Sequence, residues 1–202
     1  MTVTMTPVQT AAKGRKFPAF DLARLLGTVF EPTFGRRICI LIDLPDLSEA
    51  KDLAFLKNPE RRVQQKAHEK FYLGLKNGVL EELALKGGEM FAYTQTTGSN
   101  LDLPDECADM TGKRLSLEKD IYPNYDIILC ISTFSATAPL TAFAKQYGFR
   151  GATLHGVNQI ILSSGLAVEL PSCSTASTRT PGATPSRTRA PLTSSCARSR
   201  PS

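Results

Sequence analysis

The sequence predicts an α/β domain, a three-layer sandwich on a mostly parallel, Rossmann-like sheet, followed by a disordered carboxy-terminal tail. Three observations predict it. Two apolar runs, at residues 38–42 and 127–131, have the length and β-branched content of strands covered on both faces. Segments with apolar residues at helical spacing stand between and after those runs, so strands alternate with helices and parallel pairing through right-handed crossovers follows. From residue 171 to 202 the composition shifts to 8 Ser, 6 Thr, 5 Pro, 5 Arg and 4 Ala, with Leu192 the only large aliphatic side chain. Such a segment buries too little apolar surface to offset the entropy of ordering it.

The first element is a short helix, because Phe20, Leu22, Ala23, Leu25, Leu26 and Val29 recur at helical spacing before Pro32 and Gly35. The first strand follows and stops at Asp43, with Pro45 in the loop beyond it. Asn58 and Pro59 suit a helix start. Val63, Ala67, Phe71, Leu75, Val79 and Leu83 then mark one face at spacings of four, and Gly87-Gly88 is expected to end the helix. Gly74 and Gly78 weaken that helix by about 1 kcal/mol each and are expected to allow close packing on the sheet. Residues 89–94 read as the second strand and 95–125 as mostly loop, with turn signals at Gly98, Asn100, Pro104 and Asp105. Residues 126–131 form the next strand. Leu140, Phe143, Ala144 and Tyr147 give the buried stripe of a helix closed by Gly148. Residues 151–154 are a short fourth strand, and 160–166 a last turn or two of helix.

Charge divides the chain further. The formal net charge is +5, yet five arginines lie beyond Leu170, where there is no Asp, Glu or Lys. Without them the basic residues equal the 19 acidic ones in number. A folded part of no net charge argues against a nucleic-acid groove. The basic tail by itself predicts salt-sensitive contacts with acidic partners. The organisation read from composition is a flexible leader over 1–17, an α/β domain over 18–170 and the tail over 171–202. The abrupt change at 171 also has the composition of a GC-rich gene read out of frame, so a frameshift past Leu170 is the expected origin of the tail. No apolar run approaches the ~18 residues of a membrane span, and the first sixteen residues lack the apolar core of a secretory signal. Five cysteines, with no Cys-x-x-Cys pair, suit a reduced, cytoplasmic setting.

Few residues suggest chemistry. His68-Glu69 opens like a zinc-peptidase motif, but Tyr72 stands where the second histidine belongs, so His68 reads as an ordinary helix residue. Gly-x-Ser-x-Gly, phosphate-loop and Gly-x-Gly-x-x-Gly motifs are missing, which argues against the enzyme classes built on them. Asp102, Asp105, Glu106 and Asp109 read as a solvated acidic loop, since Pro104 breaks any calcium-loop pattern. The most suggestive stretch runs from Ser132 to Thr137, between a buried strand and a helix. Thr133, Ser135 and Thr137, with Asp43 on the same sheet edge, are candidate ligand-binding residues for a small anion or carboxylate. Against this, Ser135 or Thr137 simply caps the helix, with Pro139 in its first turn, and Asp43 is a solvated loop acid. No catalytic residue is assigned.

From about Leu25 to Gly165 the chain resembles the amino-terminal domain of the thermophilic leucyl aminopeptidase family of metallo-exopeptidases. The resemblance is carried by a buried strand, the turn Thr133-Phe134-Ser135-Ala136-Thr137, a helix, and then Tyr147-Gly148-Phe149-Arg150-Gly151-Ala152-Thr153-Leu154-His155-Gly156, similar to the family's Gly-x-Arg-x-Ala-Thr element. The stretch from Leu25 to Asp43 is also similar. Ala138 stands where the family often has His, and His155 where it often has Pro. The resemblance implies a non-catalytic α/β domain. The family's paired metal ions are held by Glu, His, Tyr and Asp of a carboxy-terminal domain, so zinc or cobalt is expected only where that domain is present. No family ligand falls on this chain. A homo-oligomer is the partner class the resemblance suggests, with no nucleic acid and no membrane.

Overall fold

The computed structural model describes residues 19–163 and Leu166, all within the unit Met1–Leu170. The leader read over 1–17, the tail over 171–202 with its five arginines, and Cys173 and Cys196 lie outside the described residues.

The order of elements is α1 (Leu22–Phe30), β1 (Arg37–Leu44), a 3-10 segment (Leu47–Lys57), α2 (Arg62–Lys66), π-helical turns (Ala67–Tyr72 and Leu75–Val79), α3 (Leu80–Glu82), β2 (Lys86–Thr94), β3 (Glu106–Asp109), β4 (Arg114–Ser116), a π-turn (Leu117–Ile121), a 3-10 turn (Tyr122–Asn124), β5 (Ile127–Ser132), α4 (Thr137–Tyr147), β6 (Arg150–His155) and α5 (Gln159–Ser163). The six strands form one sheet in the order β4-β3-β2-β1-β5-β6. β1 pairs in parallel with β2 and β5, and β5 with β6, while β2–β3 and β3–β4 are antiparallel.

Strand β1 is buried from Ile38 to Leu44, as its unbroken apolar run requires. Its side chains alternate between two cores. Ile38, Ile40 and Ile42 pack with Leu22, Leu26, Phe71 and Leu75 on one face, and Cys39 and Leu41 pack with Tyr122, Leu140 and Phe149 on the other. Helical elements therefore cover the sheet on both sides.

The structure corrects the sequence reading in three places. Residues 95–125 are not mostly loop, because β3 and β4 extend the sheet with an antiparallel pair. β3 buries only the small side chains of Cys107 and Ala108, which leaves no apolar alternation for the sequence to display. Two of the four acids in this region serve as local caps. Asp109 Oδ1 accepts from Thr111 N, Thr111 Oγ1 and Lys113 N, and Asp105 accepts from Ser116 Oγ and Glu118 N.

The long helix is interrupted. A stripe at spacings of four drifts by about 40° per step on an α-helix, about 200° from Val63 to Leu83. The wider π-turns counter that drift, and all six stripe residues pack against one core. Gly78, at φ +117, kinks the segment, and Gly74 abuts Leu22 of α1 rather than the sheet.

Gly87-Gly88 does not end this helix. Both glycines lie inside β2, which begins at Lys86, three residues earlier than expected. Both have positive φ, and a Cβ on Gly87 would stand 2.7 Å from Ile38 O, at a register irregularity beside Ile38/Cys39. The helix closes instead through Ala84, at φ +51, with Leu85 N donating to Leu80 O.

Candidate functional site

The carboxyl end of β1 carries the one buried acid among the described residues. Asp43 is 1 % exposed. It does not stand in a solvated loop, because β1 extends through it to Leu44 and pairs it with Tyr93 of β2. The carboxylate faces donors from three segments. Thr133 N, just past β5, lies 2.9 Å from both Oδ1 and Oδ2. Gln64 Nε2, on α2, donates to Oδ1 at 2.6 Å and to the Asp43 carbonyl at 2.8 Å. Gln95 Nε2, just past β2, donates to Oδ2 at 3.0 Å. Thr133 Oγ1 stands 3.3 Å from Oδ1 and accepts from Gln64 at 3.1 Å. A buried carboxylate demands such donors, since leaving it bare costs several kcal/mol. The cluster thus joins the ends of β1, β2 and β5 to α2.

Of the candidate residues, Asp43 and Thr133 meet directly, while Ser135 and Thr137 lie apart from them. The helix they introduce is capped only weakly by its own hydroxyls, through the long bond from Thr137 N to Ser135 Oγ. The N-cap is Ala136, without a side-chain bond, and Ser135 Oγ lies 3.5 Å from Thr137 N. The cap comes from a distant loop. Asn100 Oδ1 accepts from Ala138 N at 3.0 Å, and Ser99 Oγ accepts from Ser135 N at 3.2 Å. Ser135, Thr137 and Thr153 form a chain of hydroxyls, with oxygen separations of 3.0 and 2.7 Å.

Gln64 and Gln95 had no signal in the sequence, and Asn100 showed only as a turn residue. Each is an amide in a polar stretch, and only the fold brings it to a partner 21 or more residues away. The single trace is Gln64, which follows Val63 of the apolar stripe and is itself 2 % exposed.

The buried thiols and His68 are held inert. Cys39, Cys107 and Cys130 are buried free thiols. Burial pushes Cys107 up to about 12 and Cys130 up to about 11, and raises Cys39 well above its ordinary value. A thiol that keeps its proton is no nucleophile at neutral pH. His68 stacks on Tyr72 at 5.3 Å, and burial lowers its pKa, so it stays neutral. Among the described residues no three of His, Cys, Asp and Glu converge as metal ligands, and no helix is long and apolar enough to cross a membrane.

No family model, curated protein or solved structure matches the chain.

Proposed function

We propose that this domain is a non-catalytic α/β framework, the counterpart of the amino-terminal domain of a metal-dependent aminopeptidase, and that this chain by itself hydrolyses no peptide. The observation that carries the reading is the Asp43 carboxylate. Open α/β sheets take ligands beyond the carboxyl ends of the strands, where the strand order reverses. Read as Rossmann-like, the order β2-β1-β5 puts that reversal between β1 and β5. The acid standing there already accepts from Thr133, Gln64 and Gln95. A carboxylate so held fastens loops, and it lacks the free lone pairs a general base or metal ligand needs. The resemblance supplies the substrate class. The divalent ions and their ligands belong to the family's other domain, and the residues here do not fit them. A cytoplasmic setting and a homo-oligomer belong to the same reading.

The test incubates the purified chain with leucyl-p-nitroanilide and cobalt or zinc. The expected result is no metal-dependent release of nitroaniline. Turnover abolished by a chelator overturns the proposal.

A second reading, a module for a small anionic ligand at residues 133–137, is favoured by the exposed hydroxyls of Ser135, Thr137 and Thr153. In it the ligand displaces Asn100 from the amide of Ala138. A thermal-shift screen with nucleotides, phosphate and amino acids decides it. A shift that vanishes in Ser135→Ala supports this reading, and no shift removes it.

A further inference from the structure

The chain has five asparagines, and only Asn77 is followed by glycine. The structure sets it apart a second time. Asn58 Oδ1 accepts from Glu60 N, Asn100 Oδ1 from Ala138 N and Asn158 Oδ1 from Ile161 N, while Asn124 Nδ2 donates to Asp120 O. The side chain of Asn77 is exposed and makes no hydrogen bond among the described residues.

Asparagine is thermally labile because the amide nitrogen of the next residue can close a five-membered ring on its side chain. Closing that ring requires the asparagine ψ to swing, and an unbroken helix prevents this by locking the main chain. Here the helix is broken at the pair itself. Asn77 has φ −90 and ψ +29, and Gly78 has φ +117. A Cβ on Gly78 would meet open space, and glycine brings no side chain to shield its nitrogen or to oppose the swing. The pair also sits where a change in length is felt. Leu80 N donates to Leu75 O across it, Leu75 is fully buried, and Val79 packs against the core.

We propose that Asn77 is a site of spontaneous deamidation in the folded protein, and that the product loosens the turn into α3. The Gly78 nitrogen attacks Asn77 Cγ. The N–Cγ bond forms, the Cγ–Nδ2 bond breaks, and ammonia leaves with the proton of the Gly78 N–H. Water, the one co-reactant, then opens the cyclic imide. Addition at Cγ gives aspartate. Addition at the main-chain carbonyl carbon gives isoaspartate, in which the chain runs on through Cβ and Cγ. Isoaspartate adds one methylene to the main chain inside the turn that Leu80 N closes on Leu75 O, so that bond no longer fits. The site is independent of the reading of Asp43 given above.

The test incubates the full chain in mildly alkaline buffer, native and in guanidinium chloride, and follows each asparagine by peptide mapping and mass spectrometry. Isoaspartate is read separately, as labelled methyl groups transferred from S-adenosylmethionine by an isoaspartyl methyltransferase. The expected result is that Asn77 converts before the other four asparagines, and in the native protein within about tenfold of its rate in guanidinium. Methyl acceptance is expected to rise in step and to vanish in Asn77→Gln, a change at an exposed position whose fold circular dichroism checks. The converted protein is expected to unfold at lower urea concentration than the fresh one. Three results overturn the proposal: conversion of Asn77 in guanidinium but not in the native protein, earlier conversion of another asparagine in the native protein, or undiminished methyl acceptance in Asn77→Gln. An unchanged urea midpoint after conversion overturns the claim that the turn is loosened.

Discussion

The main-chain N–H of Thr133 points between the two oxygens of Asp43, 2.9 Å from each, across the gap between the carboxyl ends of β1 and β5. The two residues are ninety positions apart in sequence, and their contact fixes the turn into α4 relative to the centre of the sheet.

Replacing Asp43 with Asn keeps the shape and removes one acceptor. The new amide then confronts the donors of Thr133, Gln64 and Gln95. A loss of about 2 kcal/mol is expected, because a buried donor left without its charged acceptor bears its full desolvation penalty. Urea unfolding monitored by circular dichroism checks it. A midpoint unchanged from wild type would show that the carboxylate does not hold the loops.

Gly87→Ala combines positive φ with a Cβ placed 2.7 Å from a backbone oxygen. Glu89 Oε2, at 2.8 Å, can swing away, but the Ile38 oxygen is backbone, so β1 and β2 must separate. A loss of more than about 1 kcal/mol is expected. Gly148→Ala also has positive φ but meets open space, so it serves as the comparison. The clash predicts the larger loss at Gly87.

Acid weakens the fold through Asp126. Burial works against its ionised form, but the N–H of Arg37 and the guanidinium of Arg36 outweigh burial and lower its pKa. A depressed folded pKa gives stability that is present above the unfolded value, near 3.9, and is lost as pH falls through the folded one. Unfolding midpoints taken from about pH 5 down to pH 2 are expected to drop, and Asp126→Asn is expected to flatten that slope. An equal slope in the variant would place the acid sensitivity elsewhere.

The three thiols of the sheet provide a chemical readout of packing. Cys39, Cys107 and Cys130 are fully buried and protonated at neutral pH. Iodoacetamide at pH 7.5, followed by peptide mapping, is expected to leave all three unlabelled in the native protein and to label all three in urea. Rapid native labelling of Cys107 would mean that the β3–β4 pair opens readily.

Much of the architecture is legible in the sequence, and the reasons are local. The runs at 38–42 and 127–131 announce central strands because burial on both faces admits only apolar residues. The stripe from Val63 to Leu83 announces a helix for the same reason. Its spacing of four also carried the mark of the π-turns. β3 and β4 are illegible because each is short, and β3 inserts only Cys107 and Ala108 into the core. Gly87-Gly88 mimics a helix stop because the same positive φ that closes a helix also serves a strand irregularity. At the site, Asp43 and Thr133 are recognisable as sheet-edge residues. Their polar partners are not, because Gln64, Gln95 and Asn100 take their roles from tertiary contacts that leave no local pattern.

Native-state hydrogen exchange of the Thr133 amide tests the central claim most directly. If Asp43 is a latch, that N–H is protected to the level of global unfolding in the wild type and loses protection in Asp43→Asn. Exchange as fast as that of the loop at Thr97 and Gly98 would contradict it, since the carboxylate would then stand open for a ligand.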